Sequence, residues 1–113
     1  MGEECIFCRI GSSQTQVEAV YEDDDVIAFR DREPQAPVHA LVIPKRHYET
    51  VMDVEDVGAL GRIMQGVQRT AKILGLEDEG FRTVINCREN GGQTVYHLHI
   101  HLLGGRFLQW PPG

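Results

Sequence analysis

What this sequence lacks narrows the field before any motif is read. No stretch approaches the ~18 consecutive apolar residues that a membrane-spanning helix needs, so no membrane partner is expected. The opening Met1-Gly2-Glu3-Glu4 is acidic and poor in apolar residues, unlike a secretory leader, and a cytoplasmic location is the expectation. Basic residues are few, 11 Lys and Arg against 17 Asp and Glu. With a net charge of −6 and a pI near 5.3, a broad electrostatic grip on nucleic acid is not expected. An anionic ligand must then be held by a local site. Cysteine is scarce too, and three residues make no disulfide framework. Cys5 and Cys8 form Cys-x-x-Cys, which in a reducing compartment binds metal or does redox work more often than it bridges. Cys87 stands alone in an apolar stretch and reads as core. Repeats, linkers and low-complexity tracts are also missing, so residues 1–113 read as one domain, large enough to bury about two-thirds of its chain surface.

What is present has the patterning of an α+β domain. Residues 4–10 are predicted to form a short helix around the two cysteines. Residues 17–21 and 26–30 read as strands separated by the acidic turn Glu22-Asp23-Asp24-Asp25. Pro34-Gln35-Ala36-Pro37 must be extended, because each proline restrains its neighbour. A strand over 38–43 follows, closed by Pro44. Asp53-Val54-Glu55-Asp56 reads as a helix start with Asp53 as N-cap. Val57, Leu60, Met64, Val67, Ala71 and Leu74 then recur in steps of three and four, an apolar stripe that Gly75 ends. Gly58, Gly61 and Gly66 each cost that helix roughly 1 kcal/mol, so packing must hold it. Residues 81–87 and 94–103 read as two more strands, joined by the turn-like Asn90-Gly91-Gly92. The expectation is a five-stranded, mainly antiparallel sheet with one long helix on one face and the other face free for a ligand.

The chemistry is concentrated in His97-Leu98-His99-Ile100-His101. On a strand, alternate side chains share a face, so the three histidines point one way in steps of about 6.5–7 Å, while Leu98, Ile100 and Leu102 point into the core. A hydrated outer face that happens to be rich in histidine is the plain alternative. Three imidazoles can bind a catalytic zinc, or one can act as nucleophile with the others around a phosphoryl group. The flanks favour phosphate. Gly91-Gly92-Gln93-Thr94 combines open backbone, an amide and a hydroxyl, and Gly104-Gly105-Arg106 adds open backbone and a cation.

The whole segment from Gly91 to Arg106 closely resembles the signature of the histidine triad (HIT) nucleotide-binding proteins, most of all their Hint branch, the purine nucleoside phosphoramidases. Tyr21-Glu22-Asp23-Asp24 and Ala28-Phe29-Arg30-Asp31 resemble that family's first hairpin. Pro34-Gln35-Ala36-Pro37-Val38-His39-Ala40-Leu41-Val42-Ile43-Pro44-Lys45 resembles the start of its third strand, and Trp110-Pro111-Pro112-Gly113 its Hint-type end. The resemblance implies a HIT-like fold, a homodimer and a middle histidine, here His99, that attacks the α-phosphate of a purine nucleotide derivative. Attack would expel an amine and leave a nucleotidyl-histidine for water to cleave, with no cofactor needed. The chemistry asks that one ring nitrogen of His99 be held as N–H by an acceptor such as a backbone carbonyl. By resemblance His101 and Thr94 surround the phosphate and the leaving group, His97 completes the triad, and His39 closes the network from the neighbouring strand.

For binding, the resemblance assigns Asp31 to the ribose hydroxyls. Asn86, Gly92, Gln93 and Thr94 fall on the phosphate side, and Ile6, Phe7, Ile10 and Phe29 on the purine slot. Plain core packing is the other reading of those apolar residues. Arg32 stands where relatives often carry an apolar residue, and its stem can still pack there. Asn86-Cys87-Arg88 lacks a glycine often found two residues after that asparagine, which puts the turn in question. Trp110 would reach the partner subunit's site or fold back on its own. Cys5, Cys8, His47 and His97 are candidates for a structural zinc, as in some bacterial HIT proteins, against two buried thiols and a surface histidine. Rival activities are dinucleoside polyphosphate hydrolysis, nucleotidyl transfer, a non-catalytic nucleotide-binding adaptor, and zinc hydrolysis at the triad itself.

Overall fold

A computed structural model describes residues 5–113. Five strands form one sheet in the order β1-β2-β3-β5-β4, every neighbouring pair antiparallel. They are β1 (Ala19–Glu22), β2 (Val26–Arg30), β3 (Val38–Pro44), β4 (Phe81–Ile85) and β5 (Ile100–Gly104). A short helix α1 (Ile6–Gly11) lies on one face and the long helix α2 (Val57–Ile73) on the other. The expected α+β architecture is the observed one, and among the described residues no helix is long and apolar enough to cross a membrane. Position 4, included in the expected first helix, lies outside the described residues.

Strand alternation sorts the core onto two sides. Val26 and Ala28 of β2, Ala40 and Val42 of β3, and Ile100 and Leu102 of β5 face α2. Ile27, Phe29, Leu41 and Ile43 face α1, where Phe7 and Ile10 cover them. The predicted helix stripe is right at Val67 and Ala71, and Leu60 and Leu74 pack against the core, but the buried face is turned toward smaller residues. The buried positions are Ala59, Ile63, Gly66, Val67, Thr70 and Ala71, whereas Val57 is 81% exposed and Met64 43%. Size explains the rotation, since the small face lets the helix settle close to the sheet. A Cβ on Gly66 would stand 2.6 Å from Val26 Cγ2. The one hydroxyl on that face, Thr70, donates to the Gly66 carbonyl at 2.7 Å and so enters the core satisfied.

Other boundaries moved for local reasons. Asp53 does not cap α2. It closes a capping box with Thr50 around a single 3₁₀ turn, Val51–Asp53, and Asp56 caps α2 through the Gly58 amide. The first strand begins at Ala19 rather than 17, and β4 stops at Ile85 rather than 87. The last strand begins at Ile100 rather than 94, because β4 ends at Ile85, its partner there, and the ladder with β3 starts at Val42 although β3 runs on to Pro44 against β2. His97 and His99 therefore sit on irregular chain, tied in by the Leu98 amide donating to the Tyr48 carbonyl at 2.6 Å.

Candidate active site

The histidines share one side despite the irregular backbone. Leu98, Ile100 and Leu102 are buried in the α2 core, so His97, His99 and His101 turn toward α1. His99 Nδ1 lies 2.8 Å from the carbonyl of His97. A carbonyl only accepts, so Nδ1 carries the proton and Nε2 keeps a free lone pair. The ring is 8% exposed and meets the edge of Phe7 at 5.3 Å between centroids.

His101 meets His39 across the sheet, His39 Nε2 to His101 Nδ1 being 2.9 Å. The Gln35 amide donates to His39 Nδ1 at 3.0 Å, which uses that lone pair and puts the neutral ring's proton on Nε2. His39 thus donates to His101 Nδ1, and His101 carries its own proton on Nε2. Asp31 Oδ2 lies 3.4 Å from the same His39 Nε2. Asp31, His39 and His101 are close enough to share a metal ion. The protonated His39 Nε2 has no lone pair to give, so a proton relay fits this trio better. Burial, then the neighbouring His99 and His39, push His101 down to about 4 against the opposing pull of Asp31, so the ring is neutral near pH 7.

A second cluster sits at the other end of the row. Cys5 Sγ is 3.3 Å and Cys8 Sγ 3.5 Å from His97 Nδ1, while His47 Nδ1 is 3.2 Å from His97 Nδ1 and 3.1 Å from Cys8 Sγ. An ion with ~2.3 Å bonds to sulfur and ~2.05 Å bonds to nitrogen in a tetrahedron spaces its donors by about 3.3–3.8 Å, close to this set. His97 Nε2 donates to the Pro44 carbonyl at 2.8 Å, which leaves Nδ1 bare and aimed at the other donors, a usual arrangement for a metal-binding histidine. Burial pushes His97 down to about 4, which keeps it neutral, and burial with the adjacent Cys5 raises the Cys8 thiol to about 11. The four donors fit a metal ion.

Beside the histidines lies a cavity of about 600 Å³. The predicted Ile6, Phe7, Ile10, Phe29, Asp31 and Arg32 line it. Leu41, Arg30 and the stretch from Thr15 to Glu18 line it too and were not foreseen, although Leu41 alternates with the buried Ala40 and Val42. Thr94 and Gly92 are exposed in the loop before β5. Asn86 Nδ2 donates to the Gly91 carbonyl at 2.6 Å. The Gln93 side chain is committed to backbone. Its amide donates to the Glu49 and Val95 carbonyls and its oxygen accepts from the Arg88 amide, so it braces the loop, and a direct phosphate contact would cost those bonds. The turn in question is made by Arg88 itself at φ 59°, a conformation that glycine adopts freely. Trp110 is 78% exposed, with the Arg82 guanidinium of β4 over its ring at 5.8 Å, and within the chain it does not line the cavity.

A family model described as the HIT domain matches residues 12–108. A HIT-like protein of Synechococcus elongatus is 52% identical over the full length of both chains. Among solved structures, a HIT family hydrolase from Legionella pneumophila superposes with a TM-score of 0.91 at 46% identity, covering 97% of this chain and 100% of that one. A histidine triad protein from Clostridium difficile gives 0.88 at 42% identity over 94% of each.

Proposed function

This chain belongs to the HIT family, and from that premise we propose that it is a purine nucleotide phosphoramidase with His99 as its nucleophile. The observation that supports this best is the 2.8 Å bond from His99 Nδ1 to the His97 carbonyl, which leaves Nε2 basic and directional. In the proposed reaction Nε2 forms a bond to the α-phosphorus while the bond from phosphorus to the leaving nitrogen breaks. The departing nitrogen takes up a proton and leaves as the amine. Water then attacks the same phosphorus, the bond to His99 breaks, and AMP or GMP is released. His101, presenting N–H from Nε2, and the Thr94 hydroxyl would hold the phosphoryl oxygens, with the open backbone at Gly92 beside them. The base would lie in the apolar cavity between Phe7, Ile10 and Phe29, with Asp31 accepting from the ribose hydroxyls and the Arg32 stem at the rim. Asn86 and Gln93 would act by shaping the phosphate loop.

Cys5, Cys8, His47 and His97 would hold a structural zinc, the ion that best suits two thiolates and two imidazoles in a tetrahedron. Four protein ligands leave no position for substrate, so the ion's part is to fix α1 and His97, and a zinc hydrolase at the triad is disfavoured. A homodimer is also proposed. β4 is an edge strand whose Phe81 and Ile85 are exposed, and Val57 and Met64 lie exposed on α2. In that assembly Trp110 would meet the partner's site.

The test is release of AMP from adenosine 5′-phosphoramidate by the wild type and by His99→Ala. Turnover by the wild type alone, with AMP still bound by the variant, supports the proposal. Binding without turnover by either protein overturns it and points to dinucleotides or an adaptor role.

A further inference from the structure

We propose that Asp31 is a positioning residue that makes turnover depend on the ribose hydroxyls, by competing with His101 for a single proton on His39. The inference rests on the nucleotide reading above and extends it to how the site tells a ribonucleotide from a sugar without the diol.

The argument is one of donors and acceptors. The Gln35 amide can only donate, and it holds His39 Nδ1 at 3.0 Å. Neutral His39 therefore has one proton left to give, on Nε2; it is hydrogen-bonded to His101, and Asp31 stands near enough to the same nitrogen to compete for it. His101 Nδ1 is at 2.9 Å and Asp31 Oδ2 at 3.4 Å. One N–H cannot serve both well. When it goes to His101, that ring is fixed with its own N–H on Nε2, the form that can donate to a phosphoryl oxygen. When it goes to the carboxylate, His101 Nδ1 loses its donor and the ring is free to take the other tautomer, with a lone pair facing the phosphate. The second Asp31 oxygen is already occupied by the Glu33 amide at 2.8 Å, so the carboxylate cannot turn away without losing a bond.

Asp31 also lines the cavity, so a ligand there can change the competition. Two ribose hydroxyls donating to the carboxylate satisfy it, and the His39 proton passes to His101. A sugar without those hydroxyls leaves Asp31 competing. The diol then acts on the chemical step as well as on affinity.

The experiment compares adenosine 5′-phosphoramidate with its 2′,3′-dideoxy analogue, using the wild type, Asp31→Ala and Asp31→Asn, and separates kcat from KM. In the wild type the dideoxy substrate should lose at least tenfold in kcat in addition to its rise in KM. In Asp31→Ala the competitor is gone, so kcat on the dideoxy substrate should rise toward the wild-type ribonucleotide value even as KM for the ribonucleotide worsens. Asp31→Asn, a weaker acceptor of similar shape, should fall between. A carboxylate that only binds ribose gives no such rescue. Equal kcat on the two substrates in the wild type, or a loss that Asp31→Ala does not relieve, overturns the proposal. If neither substrate turns over, the phosphoramidase reading fails, and ¹⁵N spectra of the histidines decide the coupling alone. AMP but not 2′,3′-dideoxy-AMP should move His101 Nδ1 toward the hydrogen-bonded acceptor position, and identical spectra overturn the coupling.

Discussion

The two ends of the histidine row are built from the same parts and arranged for opposite chemistry. At each end a row histidine meets a histidine from β3 or the loop that follows it: His97 with His47 at 3.2 Å, and His101 with His39 at 2.9 Å. The difference lies in what holds the remaining nitrogen. At His97 the anchor is a carbonyl, that of Pro44, so the proton faces outward to the anchor and a bare lone pair faces the cluster. At His39 the anchor is an amide, that of Gln35, so the lone pair is used by the anchor and the proton faces the cluster. Lone pairs converging with two sulfurs make a metal-binding set, whereas a proton facing a lone pair makes a relay. His99 sits between them, with its own anchor on the His97 backbone.

The largest effect that would break this comparison is on turnover. His101→Ala should lower kcat by roughly 10²–10⁴-fold, the usual worth of a positioned proton-handling group, while keeping metal content and costing much less stability than loss of the ion. Activity assays with metal analysis and calorimetry check it, and a variant that loses its metal as well would show that the ends are not separable. The metal end should behave in the opposite sense. Stripping the ion with a chelator, or Cys8→Ser, removes a ligand of the folded state worth about 4 kcal/mol at ~1,000 times its Kd. For a chain of this size that is a fall in Tm on the order of 15 °C. An unchanged melting curve would remove the metal reading. The far face of the sheet supplies the control, since α2 carries none of the chemistry. Gly66→Ala drives a Cβ to 2.6 Å from Val26 and should cost ~1–3 kcal/mol in overpacking, less the ~1 kcal/mol that alanine gives a helix. Gly61→Ala meets nothing within 4 Å and should stabilise by up to ~1 kcal/mol. Neither should alter turnover, and denaturant titration of the pair measures the difference.

Legibility in the sequence followed the same divide between side chains and backbone. Element types and the alternation of His97, His99 and His101 with Leu98, Ile100 and Leu102 were readable because they depend on side-chain identity and period, whereas the grouping of Cys5 and Cys8 with His47 and His97 rested on the family resemblance. The α2 face was read correctly at Val67 and Ala71 and misread elsewhere, because periodicity marks large apolar residues, whereas close packing on the sheet also selected Ala59, Gly66 and Thr70. The groups that set each histidine's role are the carbonyls of His97 and Pro44 and the amide of Gln35, and any residue could supply them. No pattern in the sequence marks such atoms. Gln93 shows the same limit, because its carboxamide suits a phosphate and equally suits the loop backbone that it holds here.

The smallest effect expected is a pH dependence read at the relay end. His101 is pushed from 6.5 down to about 4 by burial, then by His99 and His39, with Asp31 pulling the other way. The unfolded chain therefore takes up a proton at this position as pH falls below about 6.5, while the folded chain resists until near 4. The neutral ring's contribution is full above pH 6.5, is lost progressively between 6.5 and 4, and changes no further below that. The slope from one such group cannot exceed about 1.4 kcal/mol per pH unit, and partial exposure of the ring keeps it lower. Urea unfolding of the wild type and His101→Asn at pH 7, 5.5 and 4.5 reads it, because His97 and the carboxylates other than Asp31 are common to both and cancel in the difference. The stability gap should shift in favour of the variant as pH falls. Parallel curves would mean that the folded ring takes up its proton as readily as the unfolded one, so that below about pH 6.5 it would be charged and unable to receive the His39 proton on which the contrast between the two ends depends.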